Sequence, residues 1–180
     1  KIEILSAFFK KLKNKKNKEN GIIYLLRGRV FPDFSEKEFG ISEKLVIKAI
    51  SKASGISDKI IIEKWKKLGD LGQVSEETMK NKKQGTLFSQ PLKVEKVLEN
   101  LKKLPELIGK GSTEKKLALI SELLTSAKSN EVKYTIRILL GDLRIGVAEG
   151  TLRDAIVESC FKPKSMDEKK ELMNIVQNAY

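Results

Sequence analysis

GISEKLVIKAISKASGISDKIIIEKWKKLG, Gly40 to Gly69, decides the fold class by its punctuation. Ser42 stands where a helix N-cap belongs, because a serine hydroxyl can accept a hydrogen bond from an otherwise orphaned first-turn amide. Leu45, Val46, Ala49, Ile50 and Ala53 then recur at the three- and four-residue spacing of one helix face, and Gly55 ends the run. Ser57 opens a second helix carrying Ile61, Ile62, Trp65 and Leu68, which Gly69 closes. The same pattern extends outward. Pro91 precedes a helix with Val94, Val97, Leu98, Leu101 and Leu104, and Ser112 is read as the cap of one with Leu117, Ile120, Leu123, Leu124 and Ala127. Further helices are predicted over 130–140, 150–161 and 167–179. Alternation of the strand kind is almost absent, so the predicted class is all-α. Residues 69–91 read as an irregular stretch long enough to be a functional loop.

Composition narrows the chemistry. The chain has 180 residues, 40% hydrophobic, a size that suits one domain with a proper core. It contains no His and a single Cys, Cys160. A Ser/His/Asp triad, a Cys/His pair, a Cys-rich zinc site and an internal disulfide are therefore out of reach of these residues. No paired acidic spacing recommends carboxylate or metal chemistry, so no catalytic or metal-ligating residue is assigned. A reduced, intracellular protein is expected. No apolar run approaches the roughly 18 residues of a membrane span, and KIEILSAFFKK has neither the long apolar core nor the cleavage site of a signal peptide. The chain opens on Lys1 instead of Met, which suggests a piece of something longer.

The net charge is +12. Such an excess favours a polyanionic partner, since each cation that neutralises a phosphate releases condensed counterions. Only Arg27, Arg29, Arg137, Arg144 and Arg153 are arginines, and the other 31 cations are lysines. Scarce arginines point to positions where a planar five-donor fork is needed. For Arg27 and Arg137 the expected need is a buried ion pair. The lysine run Lys10 to Lys18 reads as a solvated helix end.

A faint internal repeat relates GISEKLVIKAI at Gly40 to GVAEGTLRDAI at Gly146, an offset of 106. Identities fall at Gly40/Gly146, Glu43/Glu149, Ala49/Ala155 and Ile50/Ile156, and Tyr24 and Arg27 recur upstream as Tyr134 and Arg137. Amphipathic helices resemble one another, so two explanations stand: chance likeness, or a duplicated helical unit whose approximate two-fold axis could match the dyad of duplex DNA.

Three places could carry a binding function. In GDLRIGVAEG, Gly141 to Gly150, one helix stops, a glycine-bounded turn carries Arg144, and another helix starts. Glycine lets backbone approach another surface closely, which suits a minor groove where backbone and Arg meet sugars and phosphates without reading sequence. An ordinary helix connection with Arg144 in a salt bridge fits the same residues. In GKGSTEKK, Gly109 to Lys116, first-turn amides, the positive end of a helix dipole and Lys115 or Lys116 make a phosphate seat; a plain cap at Ser112 needs no ligand. The spacing is not that of a nucleotide-binding P-loop. In KNKKQGTLFSQP, Leu87 and Phe88 follow Gln84 amid polar residues, either as anchors for a partner's pocket or as side chains folded back into the core.

These motifs, together with RGRVFPDF and KKLGDLG and all in family order, resemble the N-terminal DNA-binding domain of ATP-dependent DNA ligases, specifically the archaeal replicative type related to eukaryotic DNA ligase I. The likeness covers almost the whole chain, and EVKYTIRILLGDLRIGVAEGTLRDAI is its most specific part. It implies a compact all-helical domain over 1–180 with two pseudo-symmetric halves that grips the minor groove on both sides of a nick without reading sequence. By the same likeness the groove-facing turn would be Gly141, Leu143, Arg144, Ile145 and Gly146, and the phosphate seat Gly111, Ser112, Thr113 and Lys115. Asp142 departs from the basic residue of some relatives. QGTLF resembles the short sliding-clamp-binding motif of archaeal ligases, with Gln84 hydrogen-bonding the clamp (proliferating cell nuclear antigen) and Leu87 and Phe88 filling its apolar pocket. The family's adenylated Lys lies in a KxDG motif that this chain does not contain. ATP and Mg2+ would thus serve the parent enzyme only, with its nucleotidyltransferase and OB-fold domains beyond Tyr180. A first helix and the last helices of the family domain are expected to be missing. The resemblance implies a monomer that binds nicked double-stranded DNA in replication, repair and recombination, in the cytoplasm of a cell without a nucleus and associated with its nucleoid. The competing expectation is a helical-repeat interaction module whose basic face binds acidic proteins.

Overall fold

Serine and glycine punctuation falls at helix ends in the computed structural model, which describes residues 1–13, 21–32, 34–80 and 92–179. Among the described residues ten α-helices run in the order α1 (Ile2–Lys13), α2 (Gly21–Leu26), α3 (Glu43–Ser54), α4 (Asp58–Leu68), α5 (Leu71–Lys80), α6 (Val94–Lys103), α7 (Ser112–Ser126), α8 (Ser129–Leu139), α9 (Glu149–Cys160) and α10 (Met166–Asn178), with a 3-10 turn at Leu104–Glu106. No strand occurs among the described residues, so the all-α expectation holds. Ser42 accepts from the Leu45 amide at 3.3 Å, and Gly55 and Gly69 close α3 and α4 in left-handed conformation at φ 76° and 69°. Ser57 occupies the cap position of α4 but makes no side-chain cap bond.

Two expectations change. Residues 71–80 of the predicted irregular stretch form α5. Leu71, Val74, Ser75, Thr78 and Met79 are buried along one face, and the Asp70 carboxylate caps the helix by accepting from the Gln73 amide at 3.1 Å. Ser112 is not a cap: Gly111 is, at φ 79°, its carbonyl accepting from Lys115 N–H at 3.2 Å, so Ser112 is the first helical residue. A glycine tolerates that backbone without a Cβ penalty, which moves the boundary one residue earlier.

Packing divides the chain into two units. The first comprises Lys1–Arg27, Pro32–Phe34 and Ile145–Tyr180. Its core joins Leu5 and Phe9 of α1 to Leu152 and Ala155 of α9, flanked by Ile2, Leu12, Ile23, Leu26, Val147 and Ile156. Ser6 donates across this contact to the Ala155 carbonyl at 3.2 Å. Arg27 pairs with Glu149, as its scarcity suggested, and α1 ends in Lys10, Lys11 and Lys13. Helix α10 packs on α9 through Val176, and Cys160 is exposed as a free thiol.

The second unit comprises Gly28–Phe31 and Ser35–Arg144. Helix α3 is its apolar centre, with Val46, Ala49 and Ile50 fully buried, and it packs on α7, whose Ile120, Leu123 and Leu124 are buried. Ile61 anchors the inner side of α4, while Trp65 on the same helix is half-buried. Helix α5 lies closely along α8. Gly72 permits that approach, since a Cβ there would stand 2.8 Å from Arg137 Cγ and 2.9 Å from the Lys133 carbonyl oxygen.

Candidate nucleic-acid interface

Helix α8 does not simply run out before the Arg144 turn. Its last turn is closed by Gly141 N–H to the Ile138 carbonyl at 3.1 Å and by Asp142 N–H to the Arg137 carbonyl at 2.9 Å. Gly141 (φ 71°), Arg144 (φ 52°) and Gly146 (φ 61°) all take left-handed backbone. For arginine that conformation costs about 1–2 kcal/mol, and it turns the side chain out of the continuing helical path. Arg144 Nε and Nη2 meet one oxygen of Asp142, Oδ2, at 2.6 and 2.5 Å, and Nη1 lies 3.7 Å from Asp70 Oδ2. The hydrogen bond to Asp142, then its charge, hold the Arg144 guanidinium even more firmly protonated than usual. Arg144 is salt-bridged, as the ordinary-connection reading expects, and its side chain is 50% exposed.

Asp70 is the residue that sequence reasoning overlooked. Its Oδ1 caps α5, and its Oδ2 takes Arg137 Nη2 at 2.5 Å with Arg144 nearby. Burial pushes this carboxyl up, but the Arg137 hydrogen bond, the Gln73 amide and the Arg137 charge outweigh it, so its pKa lies below the ordinary 3.8. Arg137 therefore has the buried pair expected of it. Asp70, Arg137, Asp142 and Arg144 line a cavity of about 130 Å³ together with Glu43 and Trp65. An Asp in the cap position directly before Leu71 and Val74 was the available signal.

The second segment lies at the start of α7. Gly109 and Gly111 are left-handed, Ser112 is half-buried, and Gly111, Thr113 and Lys115 are exposed. The Ser112 amide donates to the Gly109 carbonyl at 3.2 Å, and the helical ladder begins with Lys115 N–H, so the Thr113 and Glu114 amides lie in the first turn at the end of the helix. Lys116 is engaged within the fold, where its Nζ donates to the Phe39 and Gly40 carbonyls at 2.8 and 3.3 Å. Lys115 is the cation that extends to solvent.

The repeat has local structural content. Gly40 and Gly146 are both left-handed, at φ 58° and 61°, and three residues later Glu43 and Glu149 begin α3 and α9. Each glycine carbonyl accepts from a lysine of its own unit, Lys116 for Gly40 and Lys1 for Gly146, the latter at 2.8 Å. Of the predicted site residues, Gly111, Ser112, Thr113, Lys115, Gly141, Leu143 and Arg144 belong to the second unit, and Ile145 and Gly146 to the first. Leu143 and Ile145 are half-buried. Gln84, Leu87 and Phe88 lie outside the described residues.

Comparison with known proteins gives these features a family context. The DNA ligase from Methanosphaera stadtmanae is 49% identical over 138 residues, 77% of this chain and 25% of that protein. The DNA ligase from Thermococcus onnurineus is 45% identical over 142 residues, covering 79% and 25%. That from Methanobrevibacter smithii is 38% identical over 173 residues, covering 96% and 31%. The chain thus spans about a quarter to a third of the length of these relatives. The profile of the family described as DNA ligase N terminus matches residues 1–157, and the chain, all-helical and basic with its glycine-bounded arginine turn, belongs to that family.

Proposed function

We propose that this chain binds nicked duplex DNA through the minor groove without reading sequence, as the N-terminal part of an ATP-dependent DNA ligase that seals nicks in replication, repair and recombination. The Arg144 turn carries the reading. Three left-handed residues between 141 and 146 present backbone and one half-exposed guanidinium on a chain of net charge +12. Gly111, Ser112, Thr113 and Lys115 would bind phosphate with amides, hydroxyls and a cation, none of which distinguishes one base from another. A sequence-blind grip suits a substrate defined by a broken backbone.

The contribution to catalysis is positional. Holding the 3′ hydroxyl and 5′ phosphate in register removes much of the entropic barrier that a separate catalytic region would otherwise face. ATP and Mg2+ belong to that region by family. The described residues do not fit them: there is no KxDG lysine in the sequence, and no group of three or more Asp, Glu, His or Cys able to hold a metal ion among the described residues. No chemical step is assigned to this chain. Clamp binding through Gln84, Leu87 and Phe88 completes the proposal, as does action as a monomer; Phe88→Ala is expected to abolish clamp binding in a pull-down while duplex affinity stays within about twofold.

Fluorescence anisotropy with nicked duplex, intact duplex and single-stranded DNA tests the reading. Duplex binding that is indifferent to sequence supports it, and Arg144→Ala should cost about 1–3 kcal/mol. Unchanged affinity in a folded Arg144→Ala protein removes Arg144 from the interface.

A further inference from the structure

The partners of Arg144 bear on how tightly the turn can hold DNA. A guanidinium grips phosphate best through two parallel N–H donors, and the Nε/Nη2 edge is one of its two such faces. In this protein both donors of that edge already lie within 2.6 Å of Asp142 Oδ2, and the remaining Nη1 leans toward Asp70 at 3.7 Å. A phosphate approaching Arg144 therefore meets a carboxylate on either side.

The two carboxylates differ in their freedom to leave. Asp70 is buried, engaged by Arg137 at 2.5 Å and by the Gln73 amide at 3.1 Å, so it stays. The Asp142 side chain is 53% exposed and can turn into water, where its charge is solvated again. An exposed ion pair of this kind is weak, and exchange for a phosphate is accessible.

We infer that Asp142 is an affinity-setting residue of the DNA interface: its carboxylate occupies the Nε/Nη2 edge of Arg144 that a backbone phosphate takes on binding, and must be displaced for the turn to engage. The inference rests on the DNA-binding reading above. Asp142 acts in two ways. It competes for the fork in the free protein, and once displaced it remains close enough to repel the incoming phosphate. An interface built this way releases duplex more readily than the same turn with a neutral residue at 142.

The test is a double-mutant cycle on the 180-residue chain, using a nicked duplex of fixed sequence and anisotropy at low salt. Asp142→Asn, which keeps shape and removes charge, should bind about two- to fivefold more tightly than wild type, the range an exposed pair allows. In an Arg144→Gln background the gain should be clearly smaller, because the edge it unblocks is gone and only the repulsion of the phosphate is left to relieve. Glu63→Gln, which removes an equivalent exposed charge on α4, serves as the control for net charge. Asp142→Ser repeats the test with a smaller side chain. Independently of DNA, the Arg144 Nε–H resonance of the free protein should move upfield and exchange faster with water in Asp142→Asn than in wild type. An equal gain in the Arg144→Gln background, an equal gain from Glu63→Gln, or no gain at all overturns the inference. Failure of the wild-type chain to bind any duplex overturns the DNA reading itself, so the two failures are separable.

Discussion

Asp70 shows how much one side chain can hold in place. Its two oxygens cap α5, bind Arg137 and stand beside Arg144, so the carboxylate ties one helix start, one helix interior and the glycine-bounded turn together. Asp70→Asn keeps a capping oxygen but leaves the Arg137 guanidinium, 13% exposed, without its counter-charge. A loss of about 3 kcal/mol is expected, the scale for removing one partner of a largely buried pair. The pH dependence has a definite sign. The folded pKa lies below 3.8, so the contribution is complete above 3.8 and is lost as pH falls through the lowered folded value. Urea midpoints of wild type and Asp70→Asn should therefore differ at neutral pH and converge as pH is taken well below 3.8. A constant difference at both would mean that the carboxylate stabilises by shape instead of charge.

At the scale of the helix, Gly72 is what lets α5 lie close against α8. Alanine is the better helix former by about 1 kcal/mol, yet its Cβ would stand 2.9 Å from a backbone carbonyl, which cannot move aside cheaply. Gly72→Ala is expected to lower stability by about 1–3 kcal/mol by thermal unfolding. Helices such as α3 and α4 were legible because Ser42, Gly55 and Gly69 mark their ends and the apolar residues between them keep helical spacing. Helix α5 was hidden because the two glycines of GDLG imitate a loop. Its Leu71, Val74, Ser75, Thr78, Met79 face contains two hydroxyl residues that bond to their own helix carbonyls, Ser75 to Gly72 and Thr78 to Val74, both at 2.6 Å. A purely apolar count discards such positions. The partnered state of Arg137 was legible from the rarity of arginine, but its partner was not, since Asp70 is 67 residues away in sequence. Gly40 and Gly146 had the same limit: their identity in the repeat left open which lysine would reach each glycine carbonyl.

For the molecule as a whole, charge is the governing quantity. Thirty-six cations against 24 anions, 31 of the cations lysines, would make the proposed binding to duplex DNA a matter of counterion release. If about six phosphates are engaged, affinity should fall on the order of a thousandfold between 50 and 200 mM salt, with the same slope for unrelated sequences. A shallow slope would assign the basic surface to another partner. No helix among the described residues is long and apolar enough to cross a membrane.

The inventory of rare side chains has one further use. The sequence holds a single tryptophan, Trp65, half-buried on α4 of the second unit, and a single cysteine, Cys160, exposed at the end of α9 in the first. An intrinsic fluorophore and a lone attachment point thus come already distributed between the two parts of the chain. An acceptor dye coupled to Cys160 turns the native protein, with no residue replaced, into a spectroscopic ruler whose Trp65 emission follows the separation of the two units as DNA is added.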